Sequence, residues 1–123
     1  ALYAGVLALL GCGAVYLPLD PALPLQRQQY ILDNAGAMLL LHDGSHPLAA
    51  AEFPALNITA MQIPETVPIP ASTYPSSDAP CMALYTSGTT GHPKGVLLSQ
   101  RNLSHFTAWY ADYVNLNQHS RVL

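Results

Sequence analysis

The chain has 123 residues, 50% of them hydrophobic and only 9% charged, with a formal net charge of −3. That length suits one modest domain or part of a larger one, and four scattered cations (Arg27, Lys94, Arg101 and Arg121) leave no basic footprint for nucleic acid. The apolar run 1–10 is too short to span a bilayer and has no basic flank of a secretory leader, so the expectation is a cytoplasmic protein without membrane contact.

About a quarter of a soluble domain's residues are usually charged. So poor a surface is easiest to understand if further polypeptide covers it. The chain also opens inside an apolar run and closes on Arg121-Val122-Leu123 without a terminating feature. It reads as an excised piece of a longer protein. Cys12 and Cys81 lack metal or redox spacing and are expected to be small buried hydrophobes in a reducing compartment.

In chain order, residues 1–10 have no polar face, which predicts a buried helix. Ala1, Ala4, Gly5 and Ala8 recur at helical spacing and permit close packing; Gly11 and Gly13 stop the helix. Residues 14–17 read as a short strand closed by Pro18. A loop through Asp20-Pro21 leads to Pro24, which suits the first turn of a second helix. That helix runs to about Ala35, with Gly36 as its cap and a narrow apolar side of Leu25, Ile31, Leu32 and Ala35. Asp20 and Asp33 read as turn or cap residues.

Residues 37–41 form a continuous apolar run, expected to be a strand covered on both faces. A short helix over 47–53 and a strand over 56–63 follow. The proline-rich stretch 64–80 reads as a loop or linker. Residues 81–85 and 96–98 are strands, and Ser99 is the expected N-cap of a helix from Gln100 to about Val114. Leu103, Phe106, Tyr110 and Tyr113 share one stripe of that helix; these aromatics and Trp109 are expected to pack in a core. Helices alternating with apolar strands imply an α/β domain, with a layered mixed or mostly parallel sheet flanked by helices.

The chemistry is concentrated in residues 85–96, YTSGTTGHPKGV. Threonine, serine and glycine crowd the positions after Tyr85, and a lone lysine, Lys94, follows inside Pro93-Lys94-Gly95. Glycines let a bulky anion approach backbone N–H groups, hydroxyls donate hydrogen bonds, and a lysine supplies the countercharge. That combination suits a phosphate. A Walker loop needs GxxxxGK[ST] between a strand and a helix. Gly88 and Gly91 are too close for that, His92-Pro93 separate Gly91 from Lys94, Gly95 stands where Ser or Thr should, and a strand follows. The dinucleotide pattern GxGxxG is also absent. The histidines His42, His46, His92, His105 and His119 show no metal-site spacing, and no metal ligand is assigned.

The stretch instead resembles, over its whole length, the phosphate-binding signature of adenylate-forming enzymes, [YF]-[ST]-S-G-[ST]-T-G-x-P-K-G-V. Residues 9–21, LLGCGAVYLPLDP, resemble the LKAGGAYVPLDP segment of nonribosomal peptide synthetase adenylation domains. Arg27, Leu32-Asp33 and Ala35-Gly36 fall where that family has ERL…ML.DAG, and the tail from Arg101 is similar to HRNL…W…DRVL. Gln100 stands where the family usually has histidine, and Cys12 interrupts the usual Lys-Ala-Gly-Gly.

The resemblance implies a partial AMP-binding domain over 1–123, a subdomain of the large N-terminal domain of such enzymes. The proline-rich stretch would be a connection, and 85–96 the phosphate-binding loop. It implies an ATP- and Mg²⁺-dependent ligase that joins a carboxylate, usually of an amino acid, to AMP with release of pyrophosphate. The acyl group then passes to the phosphopantetheine thiol of a carrier-protein domain, expected in the same polypeptide. The implied ATP-binding residues are Thr86, Ser87, Gly88, Thr89, Thr90, Gly91 and Lys94, with Lys94 the catalytic charge. Alternatives are an acyl- or aryl-CoA ligase of the same superfamily and a non-catalytic ATP-binding module. Residues 1–123 alone are expected to be inactive, because the other walls of such a site belong to later sequence.

Overall fold

The computed structural model describes residues 2–44, 46–50, 53–62, 75–86 and 93–121, and among them two helices precede four strands and a third helix closes the order. Helix α1 (Leu2–Gly11) forms on an alanine- and leucine-rich run. It ends where Gly13 adopts φ 72° and the N–H groups of Gly13 and Ala14 close back on Leu10 and Leu9. The close packing expected at Gly5 is present, since a β-carbon there would lie 3.7 Å from Leu41 Cδ1. The expectation of a buried helix is corrected: none of residues 3–11 is buried, and Ala4 and Ala8 are exposed, as are Tyr3 and Leu7, which no described residue covers. Cys12, also expected inside, is exposed beyond the helix end, whereas Cys81 is buried; both thiols are free.

The strand expected over 14–17 reduces to one bridging residue. Tyr16 N–H donates to the Cys81 carbonyl, and its own carbonyl accepts from Ala83 N–H, each at 2.9 Å. The Ala14 N–H is already used at the helix end and Pro18 has none to give, so pairing cannot spread.

Helix α2 (Leu25–Ala35) is capped by Pro24 before it and by Gly36 in the left-handed region after it. Ile31 and Leu32 are buried as expected, but Leu25 and Ala35 are exposed. The third buried position is Gln28, 1% exposed. It lies one turn before Ile31 and Leu32, on the same face. Its Nε2 donates to the Leu23 carbonyl at 2.6 Å and the Pro21 carbonyl at 3.3 Å, tying the proline loop to the helix.

Strand β1 (Leu40–His42) is shorter than the 37–41 run and is not covered on both faces. Ala37 still closes α2, donating to the Leu32 carbonyl, so extended pairing starts only at Leu40; Met38 and Leu39 stay exposed. Residues Pro47–Ala50 form a single 3₁₀ turn in place of the helix expected over 47–53, of which residues 51 and 52 lie outside the described residues. Strand β2 (Ala55–Asn57) pairs parallel with β1, Leu40 against Ala55 and His42 against Asn57. It stops far short of residue 63 because Asn57 Oδ1 accepts from Thr59 N–H, Thr59 Oγ1 and Ala60 N–H, turning the backbone. Leu32, Leu40 and Leu48 form the core beneath this unit, with Leu17, Leu19, Ala37 and Phe53 against it.

Strands β3 (Pro80–Thr86) and β4 (Lys94–Ser99) pair antiparallel, and α3 (Gln100–Tyr113) follows at once. The architecture is a mixed α/β one: a parallel pair, an antiparallel pair, and Tyr16 bridging parallel to β3. Of the proline-rich stretch, residues 64–74 lie outside the described residues. The expected core role of the α3 aromatics is corrected among the described residues. Phe106, Trp109, Tyr110 and Tyr113 are exposed and stack on one another, with ring centroids 5.8 Å apart for Phe106 and Tyr110 and 5.3 Å for Trp109 and Tyr113.

Candidate functional site

The β3–β4 register brings the two ends of the candidate loop together. Leu84 faces Val96, Tyr85 faces Gly95, and Thr86 faces Lys94. Directly opposed residues project from the same sheet face, and neighbours from opposite faces. Thr86 and Lys94 therefore share one face at the open end of the pair, and Tyr85 and Gly95 share the other. Ser87, Gly88, Thr89, Thr90, Gly91 and His92 lie outside the described residues; Pro93, which leads into β4, is buried.

Lys94 is exposed, and among the described residues the ion pair is Arg101–Asp78, at the other end of the strand pair from it. An exposed ammonium beside a threonine hydroxyl, at the mouth of a strand pair, fits a polyphosphate. It fits a metal less well, because no group of three or more His, Cys, Asp or Glu is gathered among the described residues.

At the other end of the strand pair, α3 starts in a full capping box. Asn102 N–H donates to Ser99 Oγ at 3.3 Å, and Asn102 Oδ1 accepts from Ser99 N–H at 3.0 Å. The next two N–H groups go to the chain entering β3: Gln100 to the Ala79 carbonyl at 3.0 Å, Arg101 to the Ser77 carbonyl at 2.8 Å. The Arg101 guanidinium grips Asp78 through two nitrogens and donates to Ser77 Oγ at 3.0 Å. The positive end of the α3 dipole is thus used at the base of the hairpin, remote from the loop. This agrees with the rejection of a Walker arrangement, in which a helix N-terminus holds the anion. Gln100, at the position where histidine was expected, lines a shallow recess with Leu10, Gly11 and Pro75 at this base.

Tyr85 packs at the strand end, over Gly95, where a β-carbon would lie 3.0 Å from the ring's Cζ and 3.1 Å from its oxygen. It also donates its hydroxyl to Asn34 Oδ1 of α2 at 2.7 Å. Burial pushes the Tyr85 phenol above its ordinary value near 10, and the nearby Tyr30 adds to the shift. Asn34 carried no signal in the sequence, since its partner is 51 positions away. Asp20 behaves as expected, its Oδ1 accepting from Ala22 N–H at 2.9 Å; Asp33 accepts from Gln29 Nε2 on the helix surface.

Comparison with known proteins agrees with the local reading. The sequence model of the AMP-binding enzyme family matches residues 1–123. The hybrid PKS-NRPS synthetase phm1 of Pyrenochaetopsis sp is 37% identical over 122 residues, 96% of this chain and 3% of that protein. Bacitracin synthase 3 of Bacillus licheniformis is 35% identical over 108 residues, 85% of this chain and 2% of that protein. The chain thus spans only a few per cent of the length of such relatives. Among solved structures, the Klebsiella oxytoca NpsA N-terminal subdomain in complex with 3-hydroxybenzoyl-AMSN superposes with a TM-score of 0.64. It is 32% identical, over 81% of this chain and 25% of that one. The L. pneumophila fatty acyl-adenylate ligase reaches a TM-score of 0.73 over 97% of this chain and 22% of its own, at 22% identity, a likeness of fold alone. The chain belongs to the AMP-binding enzyme family, and within it to the N-terminal stretch of nonribosomal peptide synthetase adenylation domains.

Proposed function

We propose that the protein containing this chain is a ligase that activates an amino acid as its adenylate and loads it onto a carrier protein, and that residues 85–96 hold the leaving pyrophosphate. The observation that carries this reading is the pairing of Thr86 with Lys94 at the mouth of the β3–β4 hairpin, hydroxyl and ammonium on one face, with the Ser-Gly-Thr-Thr-Gly run between them. In the reaction a carboxylate oxygen bonds to the α-phosphorus of ATP while the α–β bridging bond breaks and pyrophosphate departs. A carrier thiol then takes the acyl group and AMP leaves. Charge gathers on the departing pyrophosphate, and preoriented donors aimed at it lower the barrier by several kcal/mol in favourable cases.

In this reading the Thr86, Ser87, Thr89 and Thr90 hydroxyls donate to the phosphate oxygens. Gly88 and Gly91 admit the anion to the backbone, and Lys94 supplies the charge. Mg²⁺ is expected to accompany the nucleotide, but with no carboxylate cluster to hold it among the described residues, no step is assigned to it. The carrier partner is suggested by relatives such as bacitracin synthase 3, and by an adenylation-PCP fusion of NpsA that is 32% identical to this chain.

The test is ATP–pyrophosphate exchange by the full-length protein over a broad panel of carboxylates. The expected result is exchange with one amino acid or a narrow set. No exchange with any member would reject the proposal. A second reading, activation of an aryl acid, is favoured by the 3-hydroxybenzoyl ligand of NpsA, and exchange with benzoates in place of amino acids would select it. Lys94→Ala should lower the exchange rate by roughly 10²- to 10³-fold, the scale of losing one preorganised donor. An unchanged rate would point to a loop that binds the nucleotide without driving the chemistry.

A further inference from the structure

We infer that the Tyr85–Asn34 hydrogen bond is a brace that positions the phosphate-binding loop, and that Tyr85 and Asn34 are positioning residues for ATP. The inference deepens the function proposed above and rests on it.

Three observations lead there. Tyr85 is next to Thr86, the last described residue before the loop, and faces Gly95, next to Lys94. Its ring lies so tightly over Gly95 that a β-carbon there would fit only if the ring gave way by a few tenths of an ångström. Its hydroxyl reaches out of the hairpin to Asn34, two positions before the α2 cap at Gly36, at 2.7 Å, a well-formed O–H···O contact.

The mechanical consequence follows from the two faces of the hairpin. The base of β3–β4 is anchored by Tyr16, Ser77, Ala79 and Arg101. Among the described residues the hydrogen bonds at the mouth are otherwise those of its own ladder, and a two-stranded ribbon by itself is marginally stable and free to twist. Tyr85 ties that mouth to α2 on one face while Thr86 and Lys94 stay open on the other. Any tilt of the strand ends would move the Thr86 hydroxyl and the Lys94 ammonium together, away from where a phosphate must meet both. The raised ionisation range of the Tyr85 phenol agrees with a hydroxyl kept protonated as a donor.

The experiment uses the full-length protein and separates the hydrogen bond from the ring. Tyr85→Phe keeps the ring over Gly95 and removes only the donor. Asn34→Leu keeps the side-chain size and removes the acceptor, while Asn34→Asp keeps an acceptor. Losing one such bond is a matter of roughly 3- to 10-fold. Tyr85→Phe and Asn34→Leu should each lower kcat/KM for ATP by about that factor with the KM for the carboxylate substrate unchanged. The double variant should be no worse than either single one, and Asn34→Asp should stay near wild type.

A second readout does not depend on turnover: amide hydrogen exchange across residues 85–96 should quicken in Tyr85→Phe and Asn34→Leu and not in Asn34→Asp. If both substrates lose equally, or exchange does not change in Tyr85→Phe and Asn34→Leu, the brace is overturned and the contact is a surface tie. If the wild-type protein shows no ATP–pyrophosphate exchange, the proposed function fails, while the amide-exchange arm still decides whether the brace exists.

Discussion

Gly95→Ala tests the packing at the hairpin mouth. The added β-carbon would sit 3.0 Å from Tyr85 Cζ, 3.1 Å from its oxygen and 3.3 Å from Cε2. Carbon atoms pack comfortably at about 3.5–4.0 Å, so something must retreat by roughly half an ångström. The β4 backbone is held by its ladder to β3, which leaves the ring to move. The ring is tethered at its far end at 2.7 Å to Asn34 Oδ1, and a shift of about half an ångström away from Asn34 would take that contact past the usual O–H···O range of about 2.5–3.0 Å. Overpacking costs about 1–3 kcal/mol, toward the low end at a half-buried ring, and the weakened hydrogen bond adds about 0.5–1.5 kcal/mol. Against this, alanine narrows the freedom of the unfolded chain, which returns about 0.4–1 kcal/mol. Gly95 is not among the residues with positive φ, so backbone strain contributes nothing. The expected net loss is about 1–2 kcal/mol, read from the denaturant midpoint of the AMP-binding domain. In a Tyr85→Ala background the same substitution should be neutral or mildly stabilising. A Gly95→Ala protein as stable as wild type, or a loss that survives Tyr85→Ala, would refute the packing argument.

Three other perturbations follow from the same structure. Ser99→Ala removes the acceptor for Asn102 N–H and should cost about 1 kcal/mol, with the first turn of α3 exchanging its amides faster; Ser99→Asp should restore most of it. Gln28→Glu places a carboxylate in a buried site whose two contacts are carbonyl oxygens. It should cost roughly 3 kcal/mol near neutral pH. The buried acid's pKa is raised, so the penalty is small below about pH 4 and grows as pH rises past that value; denaturant midpoints at pH 4 and pH 7 check it. The Tyr85 phenol is raised in the folded state, so its contribution is intact below about pH 10 and lost above it. Alkaline unfolding should therefore start later and rise less steeply in Tyr85→Phe.

The sequence was legible where the determining contacts are local. Gly36 as a left-handed cap, Ser99 as an N-cap and the strand on each side of the glycine-threonine run are all set by neighbours within a few positions. The fold class and the family followed from these and from the motif. Gln28 was missed because a polar side chain reads as exposed; its only signal was helical spacing with Ile31 and Leu32, and what keeps it inside is a pair of carbonyls in the proline loop. The α3 aromatics were misjudged for the opposite reason. Side-chain chemistry argues for burial, but burial needs an opposing surface, and no described residue supplies one. Strand lengths were overestimated at residues 14–17, 37–41 and 56–63 because apolar alternation says nothing about which N–H groups are already used by a helix end or an Asx turn.

The motif itself divides along the strand alternation. A glycine-rich signature invites the reading that each glycine serves the anion, by positive φ or by close approach. Gly95 does neither in this structure: its backbone is ordinary, and its missing side chain makes room for the Tyr85 ring. Going around the mouth, Tyr85 and Gly95 belong to the face that holds the hairpin to α2, and Thr86 and Lys94 to the face left open. The two roles are one residue apart on each strand because successive side chains point to opposite sides. A one-residue slip of β4 against β3 would break this division, turning Lys94 toward α2 and Gly95 to the open side. The tight fit of ring on glycine penalises that slip, since it would bring Lys94 or Val96, each with a β-carbon, opposite Tyr85 in place of Gly95. Part of the signature therefore fixes the register that lets the other part meet a phosphate.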